Sequence, residues 1–245
     1  MSTPQLEIRG LSKRFGGLVA VDDVNFCIAP GETLGLIGPN GAGKTTLINL
    51  ISGSVTPSTG EILFEGRSIT STSAFRRARL GIGRTFQIMK PFPGLSVLDN
   101  VAVGALFGTS TTAKALRVAR EEAREWLELM DLSRHAEQRA DELGGPDRKR
   151  LELAKAIAMK PKLLLLDEVM AGLNHVEIDD VIEAIRKVRS TGISVLVIEH
   201  VIKAVQSLAD RLLVLHHGKQ IIEGTPDAVL ADPRVIEAYL GRRRA

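Results

Sequence analysis

Gly38-Pro39-Asn40-Gly41-Ala42-Gly43-Lys44-Thr45-Thr46 fits G-x-x-x-x-G-K-[ST], the pattern of a phosphate-binding loop. Its flanks fit as well. Thr33-Leu34-Gly35-Leu36-Ile37 is a short apolar run of strand type, and residues 45–52 open as a helix. Such a loop curls its backbone N–H groups around phosphates at a helix N-terminus, where the dipole favours anions. The glycines let the backbone approach with no Cβ in the way. Lys44 would reach the β/γ-phosphates as a point charge, and the Thr45 hydroxyl would hold Mg²⁺. A glycine-rich turn that merely precedes a lysine has no reason to match all four fixed positions between a strand and a helix.

Outward from the loop, the first third alternates short strands and turns. Leu6-Glu7-Ile8 and residues 21–28 show period-2 patterning, and Ala29-Pro30-Gly31-Glu32 is a turn into the loop strand. Residues 61–66 make another strand with a turn behind it. Over 95–142 the pattern becomes helical. Ala119, Ala123, Trp126, Leu127 and Met130 recur at helical spacing among charges, which makes Trp126 a core residue of a helical subdomain. From Lys162 onward strand and helix alternate. Residues 163–166 read as a buried strand, and Ile178, Val181, Ile182, Ile185 and Val188 stripe a helix that Gly192 ends. Residues 193–198 form the next strand, and 211–215 and 220–223 bracket a hairpin-like turn at His217-Gly218. This alternation implies a parallel sheet covered on both faces. No internal repeat or low-complexity linker interrupts it.

The chain's 245 residues suffice for one large domain or a domain with a sizeable insertion, and 44% hydrophobic content is enough for a packed core. A net charge of +3 gives no nucleic-acid-binding tail, so no nucleic-acid partner is expected. Cys27 is the only cysteine; no disulfide framework exists, which suits a reducing cytosol. Its place in the Val24-Asn25-Phe26-Cys27-Ile28 strand predicts an ordinary core cysteine. Met1-Ser2-Thr3-Pro4-Gln5 is no signal peptide, and no run approaches the ~18 apolar residues of a membrane span. The expectation is a soluble protein that works at a membrane only through partners.

Leu163-Leu164-Leu165-Leu166-Asp167-Glu168 puts two carboxylates directly after an apolar strand. At the C-terminal end of a parallel strand they would face a ligand crevice. Asp167 would bind Mg²⁺, directly or through its water, and Glu168 would polarise the attacking water as general base. His200 follows the Val195-Leu196-Val197-Ile198-Glu199 strand and would reach the same edge as a γ-phosphate contact.

With these motifs in place, nearly the whole chain resembles the ATP-binding subunits of ABC transporters. The resemblance implies an α/β P-loop NTPase cassette: a mainly parallel sheet core, an N-terminal antiparallel β-subdomain and an inserted helical subdomain. It implies ATP and Mg²⁺ as cofactors. It makes Phe15, in Lys13-Arg14-Phe15-Gly16-Gly17, the aromatic that stacks on adenine, worth ~1–3 kcal/mol per base where such stacking is measured. It makes Gln87, in Gly83-Arg84-Thr85-Phe86-Gln87, the glutamine that touches Mg²⁺ and leads into the helical subdomain. Ala171-Gly172-Leu173-Asn174 matches the loop that crosses to the other cassette, with asparagine where aspartate is commoner. The domain layout it implies is 1–94 for the β-subdomain and phosphate loop, 95–158 for the helical subdomain, and 159–245 for the rest of the core and the tail.

Finer similarity narrows the class. Phe15-Gly16-Gly17-Leu18-Val19-Ala20-Val21, Gly81-Ile82-Gly83-Arg84-Thr85-Phe86-Gln87, Ile222-Glu223-Gly224-Thr225-Pro226 and Asp232-Pro233-Arg234-Val235-Ile236-Glu237-Ala238-Tyr239-Leu240-Gly241 look like the branched-chain amino-acid importer class. Importers for urea and short amides share much of this pattern.

One motif departs. The family's Leu-Ser-Gly-Gly-Gln signature, which covers a partner's nucleotide, stands here as Leu143-Gly144-Gly145-Pro146-Asp147. The serine hydroxyl is gone at Gly144, and Pro146 has no N–H to donate. Asp147 suits the start of a helix over 148–158, where an acid helps by ~0.5–2 kcal/mol as a cap. The same charge would repel a γ-phosphate. Val169 and His175 stand where the family usually has prolines.

The resemblance implies the ATPase subunit of a prokaryotic importer, cytoplasmic and peripheral on the inner face of the membrane. Its partners would be two membrane permeases, a second ATPase subunit and, indirectly, a solute-binding protein. The altered signature implies a heterodimer with unequal sites. Three other readings are an ATP-binding regulatory subunit with weak hydrolysis, a urea or amide importer ATPase, and a soluble ABC ATPase of DNA repair or translation. The last would carry long coiled coils or two cassettes.

Overall fold

Alternation of apolar side chains builds the first sheet. Leu6, Ile8 and Leu11 on one strand, and Val21, Val24, Phe26 and Ile28 on the next, are buried while the residues between them are more exposed. The computed structural model describes residues 3–85, 91–108 and 115–240. Its elements begin β1 (Leu6–Phe15), β2 (Leu18–Ile28), β3 (Thr33–Ile37), α1 (Lys44–Ser52), β4 (Thr59–Phe64) and β5 (Arg67–Ser68). There follow α2 (Ala74–Leu80), β6 (Ile82–Arg84), α3 (Val97–Phe107), α4 (Leu116–Leu129) and α5 (Gly145–Ala158). The last part holds β7 (Leu163–Asp167), α6 (His175–Arg189), β8 (Ser194–Ile198), α7 (Ile202–Leu208), β9 (Arg211–His216), β10 (Lys219–Gly224), α8 (Pro226–Leu230) and α9 (Pro233–Leu240). Two compact units result, Met1–Ala74 with Ser194–Ala245, and Phe75–Ile193.

In the first unit an antiparallel sheet runs β2-β1-β4-β5, with Leu6 opposite both Ile28 and Phe64. The strand expected over residues 6–8 continues to Phe15, because Lys13, Arg14 and Phe15 still pair across the Gly16-Gly17 turn with Val21, Val19 and Leu18. Cys27 is not a core residue. Val24, Phe26 and Ile28 take the buried face, so strict alternation turns the intervening thiol outward. The unit's second set of strands runs β10-β9-β3-β8, with β3 between parallel neighbours and β10 folded back antiparallel onto β9 through His217-Gly218. Every residue of β3 and β8 is buried, as near-continuous apolar runs in parallel sheets require. Beneath the end of β3, Ile37 joins Val205, Leu212 and Val214 in one cluster with Val229 and Val235, which fastens α8 and α9 to the end of the loop strand.

In the second unit β6 and β7 pair in parallel, Ile82 opposite Leu163 and Arg84 opposite Leu165. Ala119, Ala123 and Leu127 are buried one turn apart along α4, as is Met130 just past its end, whereas Trp126 is only partly buried. All five apolar residues of the stripe on α6 are buried, each burial being worth about 1.5–3 kcal/mol. Ser96 caps α3, and the Asp99 carboxylate in its first turn takes a two-pronged bond from Arg120 on α4 at 2.6 and 2.9 Å. The fully buried Asn100 bonds backbone groups of Phe92 and Ser96, holding the segment ahead of α3. The α/β class with mainly parallel strands, an antiparallel N-terminal sheet and inserted helices is the one the sequence predicts.

Candidate functional site

The phosphate loop leaves β3 at Gly38, and its shape demands glycine at two points. Gly38 has φ +151°, and a Cβ there would lie 2.1 Å from the Leu215 carbonyl oxygen. Gly43 has φ +105°, and a Cβ would lie 2.4 Å from the Ala20 carbonyl oxygen. These are conformations and approaches that a side chain forbids. Beyond Gly43 the first N–H groups of α1 receive no side-chain cap, which leaves the helix start open to an anion. Ala42 is pinned at both ends: its N–H bonds the Pro39 carbonyl at 3.1 Å, and its carbonyl accepts the Gly218 N–H at 2.9 Å. Asn40, Gly41 and Thr46 complete the loop, and Thr45 is exposed.

Lys44 is 6% exposed. Its Nζ donates to the Gly38 carbonyl at 2.7 Å and to the Pro39 carbonyl at 3.1 Å. The ammonium therefore lies over the curl of its own loop, against carbonyl dipoles with which a phosphate's full charge competes. On the other side of Gly38, the backbone N–H donates to the Tyr239 hydroxyl at 2.7 Å. Burial pushes the Tyr239 phenol above its usual range, and the Gly38 N–H bond offsets part of that rise.

His200 emerges beside this loop. Leu36 pairs with Ile198, so the chain leaves β3 and β8 at the same sheet edge, and His200 stands exposed two residues past β8. Phe15, at the end of β1, is 48% exposed rather than packed as a core phenylalanine, and the Lys13 ammonium sits 5.0 Å from its ring centroid.

The second unit carries the carboxylates. Asp167 ends β7 at 2% exposure, with the Arg84 guanidinium 3.1 Å from its Oδ2. Glu168 follows in the left-handed region, φ +51°, a backbone state that costs a non-glycine residue about 1–3 kcal/mol and gathers at functional sites. The turn past it closes through the Ala171 N–H on the Glu168 carbonyl at 3.2 Å. Within Ala171-Gly172-Leu173-Asn174, Ala171 accepts a bond from the Lys149 ammonium and Gly172 has φ +75°. Asn174 is the N-cap of α6. Its Oδ1 accepts the N–H groups of Val176 and Glu177 at 2.9 and 3.0 Å, and Glu177 returns a bond to the Asn174 N–H at 2.8 Å. The asparagine that departs from the family's aspartate is thus an equally good cap. His175 is the first residue of the helix.

The signature segment starts its helix earlier than predicted. α5 begins at Gly145 with Gly144 as N-cap and Pro146 in the first turn, because proline's fixed φ suits a helix start and its missing N–H costs nothing there. Asp147 is consequently a first-turn acid rather than the cap. Its carboxylate lies 3.4 Å from His135 Nε2 and 3.8 Å from Arg150, whose other nitrogen binds Asp180 at 2.7 Å. A Cβ at Gly144 or Gly145 would meet nothing within 4 Å, so that surface is open to a ligand's approach. Gln87 lies outside the described residues.

Three contacts had no signature in the sequence: Arg84 on Asp167, Tyr239 on Gly38, and His135 on Asp147. Each joins positions far apart in the chain or unrelated by any motif spacing.

Comparison with known proteins converges on one description. Residues 21–171 match the family described as ABC transporter, and residues 219–245 match the family described as branched-chain amino acid ATP-binding cassette transporter. The chain is 39% identical to the high-affinity branched-chain amino acid transport ATP-binding protein BraF of Pseudomonas aeruginosa, over 98% of this chain and 99% of that one. It is 38% identical to the protein of the same description, LivG, of Escherichia coli K12, with the same coverage. The ADP conformation of MJ1267, an ATP-binding cassette of an ABC transporter, is similar at TM-score 0.89 and 31% identity over 98% of this chain and all of that one. The dimeric post-hydrolysis state of the cassette MJ0796, bound to ADP and Pi, is similar at TM-score 0.81 and 25% identity, over 90% of this chain and 98% of that one.

Proposed function

Because the chain belongs to the ATP-binding cassette family of transporter ATPases, we propose that it drives an importer for branched-chain or related amino acids. The observation that carries the solute class is the near full-length identity to BraF and LivG, continued through the tail matched at 219–245. Gly38 to Thr46 wrap the phosphates, and Lys44 passes from the Gly38 and Pro39 carbonyls to the β/γ-phosphates. Phe15 stacks on adenine, and its exposed face supports that role. Glu168 takes the proton of the attacking water, and His200 contacts the γ-phosphate from the strand beside the loop.

In this reading Thr45, Gln87 and Asp167 would hold Mg²⁺ through oxygen atoms, the donors this ion prefers. When bound, Mg²⁺ neutralises charge on the phosphate oxygens. The Arg84 guanidinium lies beside Asp167.

Cassettes of this family act in pairs with membrane permeases. A second ATPase subunit supplies the signature over this chain's loop, while Gly144, Gly145, Pro146 and Asp147 cover the partner's. Ala171 to Asn174 make the crossing contact. Arg150 beside Asp147 offsets part of the charge that would repel a γ-phosphate, which weakens the physical motive for a weakly hydrolysing regulatory subunit and lessens the inequality of sites in a heterodimer. No helix among the described residues is long and apolar enough to cross a membrane. In this reading the chain works at the cytoplasmic face against two permeases, with a solute-binding protein reached through them.

The test is uptake by the complex reconstituted with its permeases and binding protein, using labelled leucine, urea and acetamide. Leucine uptake that Lys44→Ala abolishes is expected. Uptake of urea or acetamide without leucine would overturn the solute class.

A further inference from the structure

Gly38 is gripped from both sides. Its carbonyl accepts the Lys44 ammonium at 2.7 Å, and its N–H donates to the Tyr239 hydroxyl, also at 2.7 Å. The two groups sit on either side of one Cα, at a residue whose φ of +151° and closeness to the Leu215 carbonyl leave little room to readjust. Tyr239 comes from α9, which is seated by Val235 in the same buried cluster that contains Ile37, the last residue of the loop strand. The hydroxyl is thereby delivered to the root of the phosphate loop by a helix anchored under that loop. A tyrosine used only for packing would need no such aim, since phenylalanine would fill the space.

We propose that Tyr239 is a positioning residue for ATP binding: through Gly38 it fixes the root of the phosphate loop and, with it, the carbonyl on which Lys44 waits. This rests on the reading of residues 38–46 as the nucleotide loop. In the free protein the Tyr239 bond keeps Gly38 oriented while Lys44 is parked on it. When a triphosphate draws Lys44 away, the same bond keeps the Gly38 peptide from following. The loop is then ordered before the nucleotide arrives, and binding avoids the cost of ordering it. The C-terminal helix becomes part of the nucleotide site, although 201 positions separate the two residues.

The test is Tyr239→Phe in the reconstituted complex, which keeps the ring and removes the hydroxyl. One neutral hydrogen bond to a preorganised loop corresponds to a loss of roughly two- to ten-fold in affinity. The loss is in binding common to ground and transition states, so KM for ATP should rise by that factor with kcat within about twofold. Amide exchange at Gly38 should accelerate in the variant, a readout that needs no turnover. An unchanged KM, or a fall in kcat at fixed KM with a lowered melting temperature, would make Tyr239 a packing residue and overturn the inference. Lys44→Ala separates the two claims. If it binds ATP like wild type, the loop reading itself fails; if it loses ATP while Tyr239→Phe matches wild type, only the role of Tyr239 fails.

Discussion

The Arg84 guanidinium sits 3.1 Å from Asp167 Oδ2, and both side chains are nearly out of water, at 11% and 2% exposure. β6 and β7 run in parallel and bring the two residues to the same end of the pair. Arg84→Met should therefore remove a cation from beside a buried carboxylate and cost up to about 3–5 kcal/mol, the range for breaking one side of a buried pair. Chemical denaturation reads this as a lowered midpoint. Arg84→Met combined with Asp167→Asn should recover much of the loss, and an equal loss in the double variant would deny the coupling.

Gly38→Ala should abolish nucleotide binding rather than weaken it. The new Cβ would stand 2.1 Å from the Leu215 carbonyl at a φ that side chains rarely adopt, so the loop or β9 must move. Titration with a fluorescent ATP analogue reads the effect, and wild-type affinity would show that the loop tolerates displacement.

Asn174→Ala should lower stability by about 0.5–2 kcal/mol, the usual worth of an N-cap, since it removes the acceptor for two N–H groups of α6. Asn174→Asp should be close to neutral. Thermal unfolding of the two variants beside wild type distinguishes a capping role from a purely interfacial one, in which neither change would move the melting temperature.

The Asp99–Arg120 link between α3 and α4 should show in acid. The side-chain bond from Arg120 holds the Asp99 carboxyl below its ordinary value. A depressed folded pKa adds stability that is present above the unfolded value near 3.8 and is lost as pH falls through the folded one. The difference in melting temperature between wild type and Asp99→Asn should be largest near neutral pH and shrink below pH ~3.8. A difference that stays constant with pH would place its cause elsewhere.

The parts of the site legible in the sequence are those whose chemistry is local. Gly38 to Thr46 announced their turn and helix because strand, glycines, lysine and hydroxyl are consecutive, and the stripe on α6 followed from period alone. The parity of β2 is equally local: Val24, Phe26 and Ile28 take the buried face, which turns Cys27 outward, against the core place that its strand setting predicts. Asn174, a departure from the family's aspartate, accepts two N–H bonds and caps α6 as an aspartate would. Contacts across the fold left no such trace. Arg84 and Asp167 are 83 positions apart and Gly38 and Tyr239 are 201 apart, and the pairing depends on strand order and on where α9 lands. His135, which lies 3.4 Å from the Asp147 carboxylate, is likewise connected to the signature by no motif spacing.

The most direct measurement is ATP turnover by the reconstituted transporter carrying Glu168→Gln, beside its ATP affinity. Glutamine keeps the size of the side chain at this strained position and removes only the base. ATP binding should be retained while hydrolysis falls by ~10²–10⁴, the usual contribution of a positioned general base. Near wild-type turnover would contradict the account, because the carboxylate that follows β7 would then not be the group that activates water.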